Sequence, residues 1–126
     1  MIINKPNGTG LARIKNATLC SLKGFQAAFK YESAFRQELF LCAILLPISL
    51  VVATDVGTWV MLMISLMFLL FAEILNSALE ALADRISIEH SELIGRAKDM
   101  GSACVFIALT ILVVVWAYAI WMNLGR

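Results

Sequence analysis

Ala72-Glu73-Ile74-Leu75-Asn76-Ser77-Ala78-Leu79-Glu80-Ala81-Leu82-Ala83-Asp84-Arg85 begins on the last of seventeen consecutive residues, 56 to 72, that carry no charge. At about 100° per residue, Glu73, Asn76, Ser77, Glu80 and Asp84 fall within a stripe roughly 100° wide, while Leu75, Ala78, Leu79 and Leu82 face away. One face of a membrane helix therefore carries carboxylates. A charged side chain in hydrocarbon costs roughly 2.5 to 3.5 kcal/mol or more. Glu73 at least needs a partner, a proton or a chemical role, and it becomes the first candidate site residue.

The surrounding chain is of the same character. Of its 126 residues, 61% are hydrophobic and only 15% charged, and the mean hydropathy is +0.87, well above the range of a soluble domain. The reading is an all-α integral membrane protein of one unit, since three spans and one amphipathic segment use up the length. A net charge of +1 selects no partner by itself, and no nucleic-acid partner is expected. Cys20, Cys42 and Cys104 show neither CxxC spacing nor a nearby His, and read as free packing thiols. Residues 1 to 10 hold no apolar core followed by a small-residue cleavage site, so no removable signal peptide is expected.

From Leu11 the pattern turns helical. Leu11, Ile14, Thr18, Leu22, Phe25 and Phe29 share one face, and Arg13, Asn16, Lys23, Gln26 and Lys30 the other. A basic amphipathic helix over about 11–31, followed at once by a hydrophobic segment, reads as a helix lying in the headgroup plane; packing on protein is the ordinary alternative. A first span is expected over about 35–53, with Arg36 and Glu38 snorkelling or paired and Pro47 a point of kinking. A tight turn at residues 54–58 follows, with Thr58 as a cap and Trp59 at interface level. The second span runs over about 59–84. Residues 85 to 99 read as a polar loop. The third span, over about 100–123, lies within 26 uncharged residues and ends in an aromatic belt of Trp116, Tyr118 and Trp121. Nine basic residues fall on the side of the N-terminus and the 85–99 loop, against Arg126 alone on the other. That asymmetry makes the N-terminus and the 85–99 loop cytoplasmic.

Three features converge on the cytoplasmic side: the Glu73/Asn76/Glu80 face, the 85–99 segment, and Glu32 at the end of the amphipathic helix. Paired carboxylates with Lys and Arg nearby can hold a divalent cation bridging nucleotide phosphates. A deeper carboxylate can take the proton of an alcohol. Glu80 lies two turns beyond Glu73, about 10.5 Å along the axis, nearer to water. No GxxxxGK[ST], GxGxxG, HRD or DFG motif is present. Gly95-Arg96-Ala97-Lys98-Asp99-Met100-Gly101-Ser102 offers backbone donors near a helix start, a weak signal alone. The polar stripe can equally join helices in an oligomer, the charges of 85–99 can be solvated, and His90 can be merely exposed. On the residues alone the reading stops at a small oligomeric three-span protein with a cytoplasmic carboxylate site.

Glu73-Ile74-Leu75-Asn76-Ser77-Ala78-Leu79-Glu80, Gly95-Arg96-Ala97-Lys98-Asp99-Met100-Gly101-Ser102-Ala103 and Glu32-Ser33-Ala34-Phe35-Arg36-Gln37-Glu38, in this order and spacing, resemble the bacterial integral-membrane diacylglycerol kinases from about Gly10 onward. The resemblance implies a homotrimer of three-span subunits, each with an N-terminal surface helix and with sites shared between subunits, in the inner membrane. It implies use of ATP with Mg2+ to phosphorylate the free hydroxyl of diacylglycerol, giving phosphatidic acid. Carried over by position, Glu73 is the catalytic base, and Glu32 and Glu80 hold the metal and its nucleotide. Cys20, Glu89, His90, Ser91, Lys98 and Asp99 are nucleotide contacts, and Arg13, Glu73, Asn76 and Ser102 lie about the lipid substrate. Two departures stand out. Cys20 occupies a position where the family often has an aromatic residue, and the family's histidine before the loop glutamate is here Ser91, with His90 one place earlier.

Two other functions stay in view. A related undecaprenol kinase shares the fold and acts on a polyprenol. A small oligomeric channel or transporter would use Glu73 and Glu80 as ion ligands, and would leave the polar 85–99 segment without a task.

Overall fold

The computed structural model describes residues 8–86 and 91–126, and all of its regular structure there is helical. Glu89 and His90 lie outside the described residues. Four helices follow in order: α1 (Gly10–Tyr31), α2 (Ser33–Val52), α3 (Val56–Ile86) and α4 (Glu92–Leu124). The last three, of 20, 31 and 33 residues, are long and apolar enough to cross a membrane. At about 1.5 Å per residue the uncharged run of α3 covers about 26 Å, close to the ~30 Å hydrocarbon thickness. Glu73 therefore stands near one boundary, and the polar stripe beyond it projects toward water.

The joint between α1 and α2 is a single extended residue. Glu32, at φ −114° and ψ 107°, ends α1 by donating its N–H to Ala28 O at 3.0 Å, and its own carbonyl accepts from Arg36 N at 3.3 Å. The Arg36 guanidinium turns back and donates from Nη1 to Phe29 O at 2.7 Å and Lys30 O at 3.2 Å. A cation thus satisfies the last carbonyls of α1 and faces the negative end of its dipole. Along α1 every described residue is exposed except Ala28; Leu11 is 84% exposed and Ile14 62%.

The core lies mainly between α3 and α4. Leu62, Leu66, Leu69 and Ala72 of α3 meet Ala108, Leu112, Trp116 and Ala119 of α4, with Cys42 of α2 against them. Ala108 and Ala119 are wholly buried, the small residues that let spanning helices approach closely. Trp116 belongs to this core rather than to an aromatic belt. Its indole N–H donates to Ser65 Oγ at 3.1 Å, and that hydroxyl donates to Leu62 O at 2.6 Å. A polar tip that would otherwise sit in hydrocarbon is satisfied by a partner helix. Tyr118 and Trp121 stay exposed. The same device recurs nearer the α2–α3 turn, where Trp59 Nε1 donates to Ser49 Oγ at 3.1 Å and Ser49 to Leu46 O at 2.5 Å. Asn123 Nδ2 of α4 donates to both Val51 O, at 3.1 Å, and Val52 O, at 3.0 Å, closing the free carbonyls of α2.

Two local expectations are corrected. The cap of α3 is Asp55, whose Oδ1 accepts from Thr58 N at 2.7 Å; Thr58 is already inside the helix. That hydrogen bond holds the Asp55 carboxyl below its ordinary range. Residues 92–99 are not loop but the opening of α4, since no proline stands between Ser91 and the apolar run and the single Gly95 costs a helix only about 1 kcal/mol. Glu92 and Arg96 pair there at 3.1 Å across one turn. Pro47 sits inside a helix that continues to Val52.

Candidate functional site

The site grows from the inward stripe of α3. Glu73 is 5% exposed, Ser77 7% and Asn76 9%, and Glu80, one turn further, is half-buried. Asn76 Nδ2 donates to Glu80 Oε1 at 3.3 Å, the i, i+4 bond that a stripe of this width allows.

A second carboxylate reaches the stripe from α2. Glu38 lies against Glu73 within hydrogen-bonding reach, half-buried, with its Oε2 enclosed and without a donor. On the sequence alone Glu38 is only a snorkelling or paired residue at the membrane edge. The signal that would have found it is a heptad-like series on α2: Phe35, Cys42 and Ser49 are all buried, and Glu38 falls between the first two on that face. Glu32 and Glu80 are also near enough for their charges to act on Glu73. Four carboxylates, from α2, α3 and the α1–α2 joint, thus gather where the spanning helices leave the apolar layer.

The cationic side comes from α4. Lys98 Nζ forms an ion pair with Asp84 Oδ1 at 2.9 Å, joining α4 to α3, and Glu80 lies close by. Asp99 and Ser102 are exposed on α4, and Ser91 is the residue before its first turn, without a side-chain capping bond. Arg13 and Cys20 are exposed on α1. Counted along the helix, Arg13 is about 27 Å from Tyr31 and Cys20 about 16 Å. Of the candidate residues the fold gathers Glu32, Glu73, Asn76, Glu80 and Lys98; Arg13 and Cys20 stand out along α1.

Two grooves between α1 and α3 open beside this cluster. One, of about 500 Å³, is lined by Ser21, Gly24, Phe25, Met67, Leu70, Phe71 and Ile74. The other, of about 410 Å³, shares Gly24 and Ile74 and includes Tyr31, Glu32 and Ser77. They form one cleft, apolar at one end and carboxylate-bearing at the other. Among the described residues no group of three or more His, Cys, Asp or Glu is set as a metal centre. Glu32 and Glu80 offer oxygen donors only, the type Mg2+ takes when phosphates and water complete its shell.

Comparison with known proteins finds relatives along most of the chain. A family model described as Prokaryotic diacylglycerol kinase matches residues 19–120. The chain is 45% identical to a diacylglycerol kinase of Escherichia coli (strain K12), over 94% of this chain and 98% of that one. It is 50% identical to a diacylglycerol kinase of Haemophilus influenzae, over 86% and 92%, and 47% identical to one of Pseudomonas aeruginosa, over 86% and 89%.

Proposed function

The chain belongs to the prokaryotic diacylglycerol kinase family, and from that premise we propose that its carboxylate cluster transfers the γ-phosphoryl group of ATP to the free hydroxyl of membrane diacylglycerol. The observation that carries the assignment of the site is Glu73, 5% exposed on a bilayer-length helix and faced by a second carboxylate. Such a residue is expensive in that position unless it has work to do.

In this reading Glu73 accepts the hydroxyl proton as the lipid oxygen attacks the γ-phosphorus. A new P–O bond forms, the bond to the bridging oxygen breaks, and ADP leaves with the electron pair. Glu38 orients the carboxylate of Glu73. Glu32 and Glu80 hold Mg2+, which when bound offsets the negative charge of the phosphates, and Lys98 adds a point charge beside them. Asn76 and Ser102 border the hydroxyl end of the substrate, with Arg13 on α1 toward the lipid headgroups. Cys20, Glu89, His90, Ser91 and Asp99 serve the nucleotide. The cleft between α1 and α3, apolar at one end and bearing Glu32 at the other, suits a lipid whose chain stays in the bilayer while its hydroxyl reaches the carboxylates.

The assembly belongs to the same proposal. The whole chain forms one kinase unit and works as a homotrimer in the bacterial inner membrane, its N-terminus and 85–99 segment cytoplasmic, with α1 lying on the bilayer surface. The exposed apolar side chains of α1 support that placement, since Leu11, Ile14, Phe25 and Phe29 are each more than half exposed. Arg13 lies one helix length from Glu32, so a lipid site that includes it is completed by a neighbouring subunit.

Purified protein in mixed micelles should turn over ATP only when diacylglycerol is present, and a polyprenol should serve poorly. Preference for the polyprenol would move the assignment to undecaprenol kinase. Ion flux without ATP turnover would replace it with a channel.

A further inference from the structure

Gly101 is buried on α4 opposite the candidate site. A Cβ built on it would fall inside the van der Waals envelope of Asn76 Oδ1, 3.4 Å from Asn76 Cγ and 3.4 Å from Leu79 Cδ1. Gly8, Gly10, Gly24, Gly57 and Gly125 meet no neighbour so closely. Glycine inside a helix is about 1 kcal/mol less favourable than alanine, so its presence calls for a reason in the packing. The atoms that a Cβ would meet are not backbone atoms of α3 but side-chain atoms, and the nearest is the end of an amide. What position 101 accommodates is Asn76.

That amide has two ends with different surroundings. Nδ2 donates to Glu80 Oε1 at 3.3 Å. Oδ1 is buried without a conventional donor and rests against the bare Cα of Gly101, where only a weak C–H contact is available. The reverse orientation would set two acceptor oxygens against each other at Glu80. We infer that Gly101 is a positioning residue for Glu80: its missing side chain seats the Asn76 amide, and the seated amide holds the Glu80 carboxylate in place.

This inference rests on the reading of Glu80 as a carboxylate that holds Mg2+. A methyl at position 101 displaces a side-chain end, which the fold can absorb by rotating Asn76. Glu80 then loses its donor. Partners that orient a metal-binding group typically alter metal affinity 10- to 100-fold.

The test uses the full-length protein in detergent, with Mn2+ as the probe, read by electron paramagnetic resonance in the presence of a non-hydrolysable ATP analogue. Mg2+-dependence of turnover is measured in parallel. Gly101→Ala should weaken Mn2+ binding about 10-fold or more and raise the half-saturating Mg2+ concentration by the same factor. Asn76→Ala should weaken Mn2+ binding alike, and Gly101→Ala made in that background should add nothing, because the clashing amide is gone. Unchanged Mn2+ binding in Gly101→Ala, or an effect that adds in full to that of Asn76→Ala, overturns the inference. If Gly101→Ala alone fails to assemble, the double variant must assemble; its failure would mean that the glycine serves helix approach alone, and would equally overturn the inference. Glu80→Gln separates the two levels. If it leaves Mn2+ binding intact, the reading of Glu80 fails; if it abolishes binding while Gly101→Ala does not, only the role of Gly101 fails.

Discussion

Glu73→Gln isolates basicity from everything else the residue does. The side chain is 5% exposed and lies against Glu38, so its replacement must match it in size. Glutamine does so, and its amide can still donate to Glu38, keeping a hydrogen bond between α2 and α3. The change therefore leaves packing intact. It removes the proton acceptor. Loss of a positioned general base lowers turnover by roughly 10²- to 10⁴-fold, equivalent to about 3 to 5 kcal/mol of barrier. The assay is initial-rate phosphorylation in mixed micelles with purified protein, alongside binding of a non-hydrolysable ATP analogue and a detergent-unfolding titration. Turnover should fall at least ~10²-fold, while nucleotide affinity and unfolding midpoint stay near those of the parent. Near-parental turnover by a correctly assembled Glu73→Gln protein would refute the reasoning. The buried carboxylate would then be an interhelical link, which an amide serves as well.

Removing either Glu32 or Glu80 as the Gln variant should raise the Mg2+ requirement at least ~10-fold without loss of the folded protein, since both are half-buried at the wet end of the site; activity at limiting Mg2+ is the check. Trp116→Phe removes the indole donor to Ser65 and should lower stability by about 1 kcal/mol, the scale of interhelical hydrogen bonds in membranes. Ser65→Ala should cost a similar amount, and the double variant less than the sum, read from denaturing-detergent titrations. In a background without Cys20 and Cys104, a cysteine placed at 55 should be labelled from outside intact cells and one at 92 should not, as the basic-residue asymmetry requires; the reverse pattern would overturn the orientation.

The helices were legible because the apolar runs are long and sharply bounded. Val56 to Ala72 and Met100 to Gly125 leave little choice but spanning helices, and Glu32 is indeed the break between α1 and α2. What escaped was whatever depended on a partner helix. Trp116 carries the composition of an interfacial aromatic, and nothing in its own neighbourhood reveals Ser65, fifty-one positions away, as the acceptor of its indole N–H. Asp55 and Thr58 are both chemically fit to cap α3; the helix start at Val56 and the Thr58 N–H bond to Asp55 Oδ1 decide between them. The start of α4 reads as loop because four of its first eight residues are charged, although charge outside the apolar layer says nothing against a helix that simply projects into water.

The same contrast holds at the site. Glu73, Asn76 and Glu80 share one helix, so their common face follows from the 3.6-residue period. Glu38 comes from another helix and seemed to belong with the charged edge residues Arg36 and Glu32. Only the packing of α2, which buries Phe35 and Cys42 on either side of it, turns it inward. Lys98 was selected for its place in a glycine-flanked segment; its pairing with Asp84 depends on how α3 and α4 cross.

The most direct measurement follows a labelled γ-phosphoryl group from ATP into lipid, with the parent protein and Glu73→Gln in micelles containing diacylglycerol. Label should appear in phosphatidic acid, one for each ADP released, with transfer reduced at least ~10²-fold in the variant. Release of ADP without label in the lipid, or equal transfer by both proteins, would contradict it.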